Sequence, residues 1–176
     1  MREVSQRWAL PADRADPLVV RDGLSVTWAG GLSQTLISGD LDAARKALGA
    51  AASEVGLCGI AGPEALVRLA RDRAVLVSET GEPDLPLGWH PHGFAVTTMS
   101  DAWAVFDIAG PRAAHLVAQG AAIDLTKADA SPSAALLFAG CWAILYRRFE
   151  DAARLHVERP LAPYLTNWIS AASNDL

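Results

Sequence analysis

AWAVFDIAGPRAAHLVAQGAAIDL, residues 102–125, reads as a strand, a Gly-Pro corner, a short helix and an Ile-Asp-Leu exit. Trp103, Val105, Phe106 and Ile108 form a β-branched and aromatic run of strand length. Gly110 can take the backbone angles of a sharp corner. Pro111 suits a first helical position, where its missing N–H would be unpaired in any case. Ala113, Ala114, Leu116 and Val117 recur at helical spacing, and Gly120 stands where a left-handed helix stop is expected. The stretch holds packing residues rather than catalytic ones, which points to a chain that works through its surfaces.

Residues 55–70, VGLCGIAGPEALVRLA, look like a second copy. Ile60-Ala61-Gly62-Pro63 matches Ile108-Ala109-Gly110-Pro111, Ala65 matches Ala113, Leu69 faces Val117 and Ala70 matches Ala118. Two strand–Gly-Pro–helix units predict a pseudo-repeated α+β architecture. Chance is the competing explanation, because Ala, Gly and Leu are abundant, and a single repetition does not make a solenoid.

The chain has 176 residues, enough for one domain or for two small lobes sharing a core. It is 51% hydrophobic with a net charge of −5, and its longest basic tract is Arg147-Arg148. That balance argues against nucleic acid and against an anionic membrane surface. The longest apolar run, residues 134–146, is too short to span a bilayer and is broken by Gly140. The N-terminus carries Arg2, Glu3, Arg7, Pro11, Asp13 and Arg14 in place of a signal-peptide core. Cys58 and Cys141 are lone and far apart, which fits a reducing cytoplasm and two small buried hydrophobes. Six Trp and an excess of Arg over Lys fit an obligate partner, since interfaces favour Trp and Arg and avoid Lys. A GC-rich genome would write the same Arg bias.

Along the chain, residues 1–17 read as a loosely held arm and residues 18–176 as one domain. Strands are expected over 18–20, 24–28 and 32–37, and Asp40 is a good N-cap for a helix over 41–48 ended by Gly49. Residues 74–78 return as a strand. TGEPDLPLGWHPHG, residues 80–93, is a Pro- and Gly-rich connection that divides lobes at about 18–80 and 94–176. Beyond it come a strand over 94–99, a loop over 126–132, a hairpin over 134–148 turning near Ala139-Gly140, and a strand over 153–158. Leu161, Leu165, Trp168, Ile169 and Ala172 mark an amphipathic C-terminal helix, with Pro160 and Pro163 at its start.

These elements carry a resemblance. An Ala/Val-rich strand runs into a short turn at 96–101, and an apolar strand reaches a Gly-Pro corner, a small-residue helix and Asp124-Leu125. The hairpin through Ala143-Ile144-Leu145 and His156-Val157-Glu158-Arg159-Pro160-Leu161-Ala162 follow, leading into Tyr164-Leu165 and Trp168-Ile169. The pattern resembles the gamma subunit of multi-subunit sarcosine oxidase, with few gaps over residues 95–169. The first half is less similar: Gly62-Pro63-Glu64 occupies the place of an aromatic-rich Gly-Pro element. Ala122-Ile123 stands where family members often have Cys-Pro, and Pro160-Leu161 where they often have Ser and an aromatic. The departures bear on which N-methylated amine the parent complex uses.

The resemblance implies an α+β fold of two ferredoxin-like lobes, similar to the folate-binding domain of the glycine-cleavage aminomethyltransferase. It implies a cytoplasmic complex of alpha, beta, gamma and delta subunits that oxidatively demethylates sarcosine to glycine, acting on a CH–NH donor in sarcosine catabolism and one-carbon metabolism. NAD, FAD, FMN, tetrahydrofolate and zinc would lie on the partner subunits and none on this chain. The chain itself would be non-catalytic. The rival expectation is a stand-alone folate-binding or aminomethyltransferase-like protein, because fold does not dictate function.

The residues read on their own offer no catalytic, cofactor-binding or metal-binding set. No G-x-G-x-x-G or G-x-x-x-x-G-K-[ST] occurs, so Gly56, Gly59 and Gly62 read as packing and corner glycines. Gly31-Leu32-Ser33 starts like a nucleophile elbow, but Thr35 takes the place of the closing glycine. His90-Pro91-His92 could offer two imidazoles to a metal, yet a site needs further ligands, with Glu82 and Asp84 as candidates. His115 and His156 read as structural histidines. Arg68, Arg71 and Arg73 crowd what reads as a helix end, either as a solvated face or as a docking site for an acidic partner. Asp107 and Asp124 could form an acid–base pair, with turn and cap roles as the simpler assignment.

Overall fold

A computed structural model describes residues 17–49, 53–127 and 131–174. Most of the expected arm, residues 1–16, lies outside the described residues, as do residues 128–130 of the expected 126–132 loop. The elements in order are β1 (Val19–Arg21), β2 (Leu24–Trp28), β3 (Ser33–Gly39), α1 (Leu41–Leu48), β4 (Ser53–Val55), β5 (Glu64–Ala70), β6 (Arg73–Ser78) and β7 (Gly88–His90). They continue as β8 (Phe94–Thr98), β9 (Trp103–Ala109), α2 (Ala113–Gly120), β10 (Ala135–Phe138), β11 (Cys141–Phe149) and β12 (Ala152–Glu158). A 3-10 turn over Arg159–Leu161 then leads into α3 (Ala162–Ala172).

The strands form two six-stranded sheets. The terminal sheet, built from both ends of the chain, has the order β1-β2-β9-β12-β11-β10; the central sheet has the order β4-β5-β6-β3-β8-β7. All pairings are antiparallel except β4 with β5. Within each sheet four strands share one plan. In β8-β3-β6-β5, helix α1 connects β3 to β5, which run parallel with β6 between them. In β2-β9-β12-β11, α2 lies between β9 and β11 in the chain, and β12 separates those two strands. Both are split β-α-β arrangements of the ferredoxin-like kind.

The sheets correct the expected lobe boundaries. β1 and β2 belong with the C-terminal strands, and β8, expected in the second lobe, pairs with β3. The two units are therefore intertwined, and the 80–93 connection, which contains β7, stays within the central sheet instead of dividing two lobes.

The repeat is corrected as well. Residues 64–70 form strand β5 rather than a helix. Arg71-Asp72 makes a tight turn, and the apolar run of β6 pairs back on β5, burying Ala65 and Val67 on one face and Leu66 on the other. Tertiary pairing overrides local helical preference here. After Gly110-Pro111 no such partner strand follows, and the helix forms.

Alternation along the strands makes four layers. Phe106 and Ile108 of β9, Leu145 of β11 and Leu155 of β12 face α2 and α3, meeting Leu116, Val117, Leu165 and Ile169. Each such side chain, fully buried, contributes about 1.5–3 kcal/mol. Ile37, Leu66, Phe94 and Val96 face α1, meeting Leu41 and Ala44. Val67, Val75 and Val77 of the central sheet pack on Trp103, Ile144 and Tyr146 of the terminal sheet, joining the sheets face to face.

Helix ends follow local chemistry. The Asp40 side chain accepts from the Ala43 N–H at 2.9 Å, and Gly49, at φ +74°, closes α1. Gly110, at φ +107°, brings the corner against the β1–β2 turn, where the Arg112 N–H donates to the Gly23 carbonyl at 2.9 Å. Pro111 falls before the cap residue Arg112, not at the first helical position. Gly120 is not a left-handed stop, since the positive-φ glycines do not include it. It is the last helical residue, and it is a glycine because the Phe138 ring lies where a Cβ would be.

Candidate functional site

The face of the terminal sheet turned toward the central sheet is apolar at one end and polar at the other. Strand alternation sends Ala153, Leu155 and Val157 of β12 to the helices, so Arg154 and His156 point between the sheets. Asp107 of β9 and Tyr146 of β11 are their cross-strand partners or next neighbours on that face.

His156 is fully buried. Its Nδ1 donates to Oε1 of Gln34, from β3, at 2.7 Å, and its Nε2 accepts from the Tyr146 hydroxyl at 3.0 Å. The Gln34 amide in turn reaches the Ser100 and Trp103 carbonyls at 3.4 and 3.5 Å, and its backbone N–H donates to the Ser100 hydroxyl. Burial, aided by the positive Arg154, pushes the His156 pKa down to about 3. Burial also drives the Tyr146 hydroxyl well above its ordinary range. Both groups are neutral and fixed by their partners.

Beside them stands a ring of four charges. Arg154, only 4% exposed, donates to both Asp107 carboxylate oxygens at 2.7 and 2.8 Å and to Glu79 at 2.9 Å. Arg148 completes the ring through Glu79 and Asp107. Burial alone would lower the Arg154 pKa; the hydrogen bonds and charges of its partners, Asp107 first, outweigh it and hold the guanidinium protonated. The ring lines a cleft of about 300 Å³ with Gly30 and Gly31 at its edge. Two cations against two carboxylates leave no net field to gather an anion. The network's evident work is to join sheets, since Glu79 follows the central β6 while the other three belong to the terminal sheet.

Apart from His156 and Asp107, the sequence-derived candidates fall elsewhere. His90 has its Nε2 2.7 Å from the Pro86 carbonyl and stacks on Phe94 at 4.3 Å. His92 borders a shallow groove with Asp40, Asp42 and Lys46. Among the described residues no group of three or more His, Cys, Asp or Glu could hold a metal. His115 is exposed on α2. Ser33 lies buried within β3, not on an exposed elbow. Asp107 and Asp124 do not act as a pair: Asp107 is held by Arg154, and Asp124 accepts from the Thr126 hydroxyl at 2.6 Å and N–H at 3.0 Å, which lowers its pKa. Cys58 and Cys141 are free and buried, as expected. Gly56 is a packing glycine whose Cβ would strike the Ser131 and Pro132 carbonyls.

Sequence reasoning passed over Gln34, Glu79, Tyr146, Arg148 and Arg154. A signal existed in AARLHVE, residues 152–158. Its apolar residues alternate, so Arg154 and His156 share the other face, and an Arg and a His two apart in a buried strand announce a polar network.

His156 has a measurable consequence. Its pKa is lower in the folded chain than the unfolded value of 6.5, so below pH 6.5 the unfolded state binds the extra proton. Stability is therefore full above that pH and falls as the pH drops toward 3, by about 1.4 kcal/mol per unit once well below 6.5. Denaturant unfolding at pH 7 and pH 5 is expected to show this loss, and His156→Gln to flatten it.

No protein-family model matches the sequence, and no curated protein matches it. Among solved structures, the two-sheet α+β fold has matching chains. One such chain belongs to the heterotetrameric sarcosine oxidase from Corynebacterium sp. U-96, solved in complex with pyrrole 2-carboxylate. The TM-score is 0.66 at 19% identity, over 90% of this chain and 88% of that one. At that identity the likeness establishes a shared fold. No helix among the described residues is long and apolar enough to cross a membrane.

Proposed function

We propose that this chain is the gamma subunit of a heterotetrameric sarcosine oxidase-type complex, where it stabilises or assembles the catalytic subunits and performs no chemistry itself. The observation that carries this reading is the fold likeness to a chain of such an assembly over nine-tenths of this chain. The placement of the buried polar groups supports it: His156, Tyr146, Gln34, Asp107 and Arg154 are all engaged in bonds that join strands and sheets. The ferredoxin-like strand plans agree with a fold of the glycine-cleavage aminomethyltransferase kind. Alpha, beta and delta subunits would supply NAD, FAD, FMN, tetrahydrofolate and zinc in the cytoplasm, with oxidative demethylation of sarcosine as the reaction.

The test is co-expression of the partner subunits with and without this chain. The yield of flavin-loaded complex is expected to fall at least tenfold without it, while turnover per bound flavin in whatever complex remains stays unchanged. Unchanged yield with lost turnover would overturn the non-catalytic assignment. Tight binding of a tetrahydrofolate analogue by the isolated chain would favour a stand-alone folate protein.

A further inference from the structure

We propose that one cross-strand row of the central sheet, Arg73–Ser38–Ala95–Trp89, receives an acidic and apolar segment of a partner subunit; this rests on the subunit reading above. The row is set by register: Arg73 of β6 pairs with Ser38 of β3, Ser38 with Ala95 of β8, and Ala95 with Trp89 of β7. All four residues occupy the face that, two residues further along β6, packs Val75 and Val77 on the terminal sheet. The row thus continues an interface the molecule already uses, at a place where the terminal sheet does not cover it.

The chemistry of the row defines the occupant. At one end Trp89 is 73% exposed, with Leu87 beside it in sequence 67% exposed. In the middle the small Ser38 and Ala95 make a shallow trough. At the other end stand Arg73 and, in the adjoining turn, Arg71, both exposed. Neither Arg forms an ion pair among the described residues, and Asp72 between them leaves the turn with a net positive charge in a chain of net −5. The three strand gaps between Arg73 and Trp89 amount to about 14 Å. A partner fits if it sets a carboxylate over Arg73 and an apolar side chain against Trp89 at that separation. Trp and Arg are the residue types that dominate interface energetics.

Pairing of a strand onto the free edge of β7 is disfavoured, because β7 has three residues and lies between Pro86 and Pro91. The face, not the edge, is the docking element. A second copy of the chain is a poor occupant, since the row carries no carboxylate of its own to offer Arg73.

The test uses the complex assembled from wild-type chain and its partner subunits. Trp89→Ala and Arg73→Glu are each expected to weaken association at least tenfold, with Arg73→Lys close to wild type. Both side chains are exposed, so the isolated variants should melt with the wild-type chain. Backbone hydrogen exchange over residues 86–97 should slow at least tenfold in the wild-type complex. A wild-type complex that the variants join equally well, with unchanged exchange over 86–97, would overturn this inference and leave the subunit reading intact. Failure of the wild-type chain to bind any partner subunit would remove both. Self-association that Trp89→Ala abolishes would assign the row to a second copy instead.

Discussion

Asp107→Ala is expected to destabilise the chain by about 3–5 kcal/mol, because it strips a buried cation of its main partner. Arg154 is 4% exposed and spends two of its three side-chain hydrogen bonds on Asp107, keeping only Glu79 afterwards. The loss comes from the guanidinium left behind and not from the pair's intrinsic worth. Adding Arg154→Met should therefore recover most of the stability, since apolar replacement of a whole buried pair is often neutral. Urea unfolding of the two single variants and the double variant measures this directly. A single-variant loss under about 1 kcal/mol, the size typical of exposed ion pairs, would show that solvent screens the ring.

Gly120→Val is expected to cost about 3 kcal/mol, at the upper end of the range for overpacking. An added Cβ at this last residue of α2 would overlap the ring of Phe138, a fully buried residue of β10 that meets Trp168 of α3 edge-on at 5.3 Å. The chain must either shift the helix or expel the ring, and truncating a buried Phe outright costs about 3–5 kcal/mol. Gly120→Val combined with Phe138→Ala should then be much less destabilised than the sum of the singles, a coupling that reports contact. Additive losses would mean that the residues are energetically independent and that the glycine serves only the helix end.

Gly120 also shows where sequence reading falls short. A glycine at the end of a helical pattern has two physical uses, a left-handed stop or a close approach, and only the position of Phe138 separates them. Strands β9 to β12 and the helices at 41–48, 113–120 and 162–172 were legible because their periodicities are local. Residues 64–70 were not. EALVRLA satisfies both a helical stripe and strand alternation, and the pairing of β6 with β5 decides between them. The lobe boundary failed for a related reason. The Pro- and Gly-rich 80–93 stretch reads as a linker, whereas its β7 pairs with β8 in the central sheet, and the two units interleave because β2, near the start of the chain, pairs with β9. Such long-range pairing leaves little local trace.

The polar network was partly visible. His156 reads as a structural histidine, and the fold buries it between Gln34 and Tyr146. Its partners come from β3 and β11, far apart in the chain, so their convergence could not be read from spacing. Arg73 stood out as part of an Arg cluster at an expected helix end. In the structure it starts a strand, and the dipole explanation for the cluster disappears with the helix.

The measurement that bears most directly on the central claim is tagged purification of this chain from its native organism, read by mass spectrometry and by the flavin absorbance of the eluate. A yellow eluate with a large NAD-binding chain, a flavin-bearing chain and a small zinc-bearing chain in equal proportion is the predicted result. A colourless eluate containing this chain alone would contradict the account.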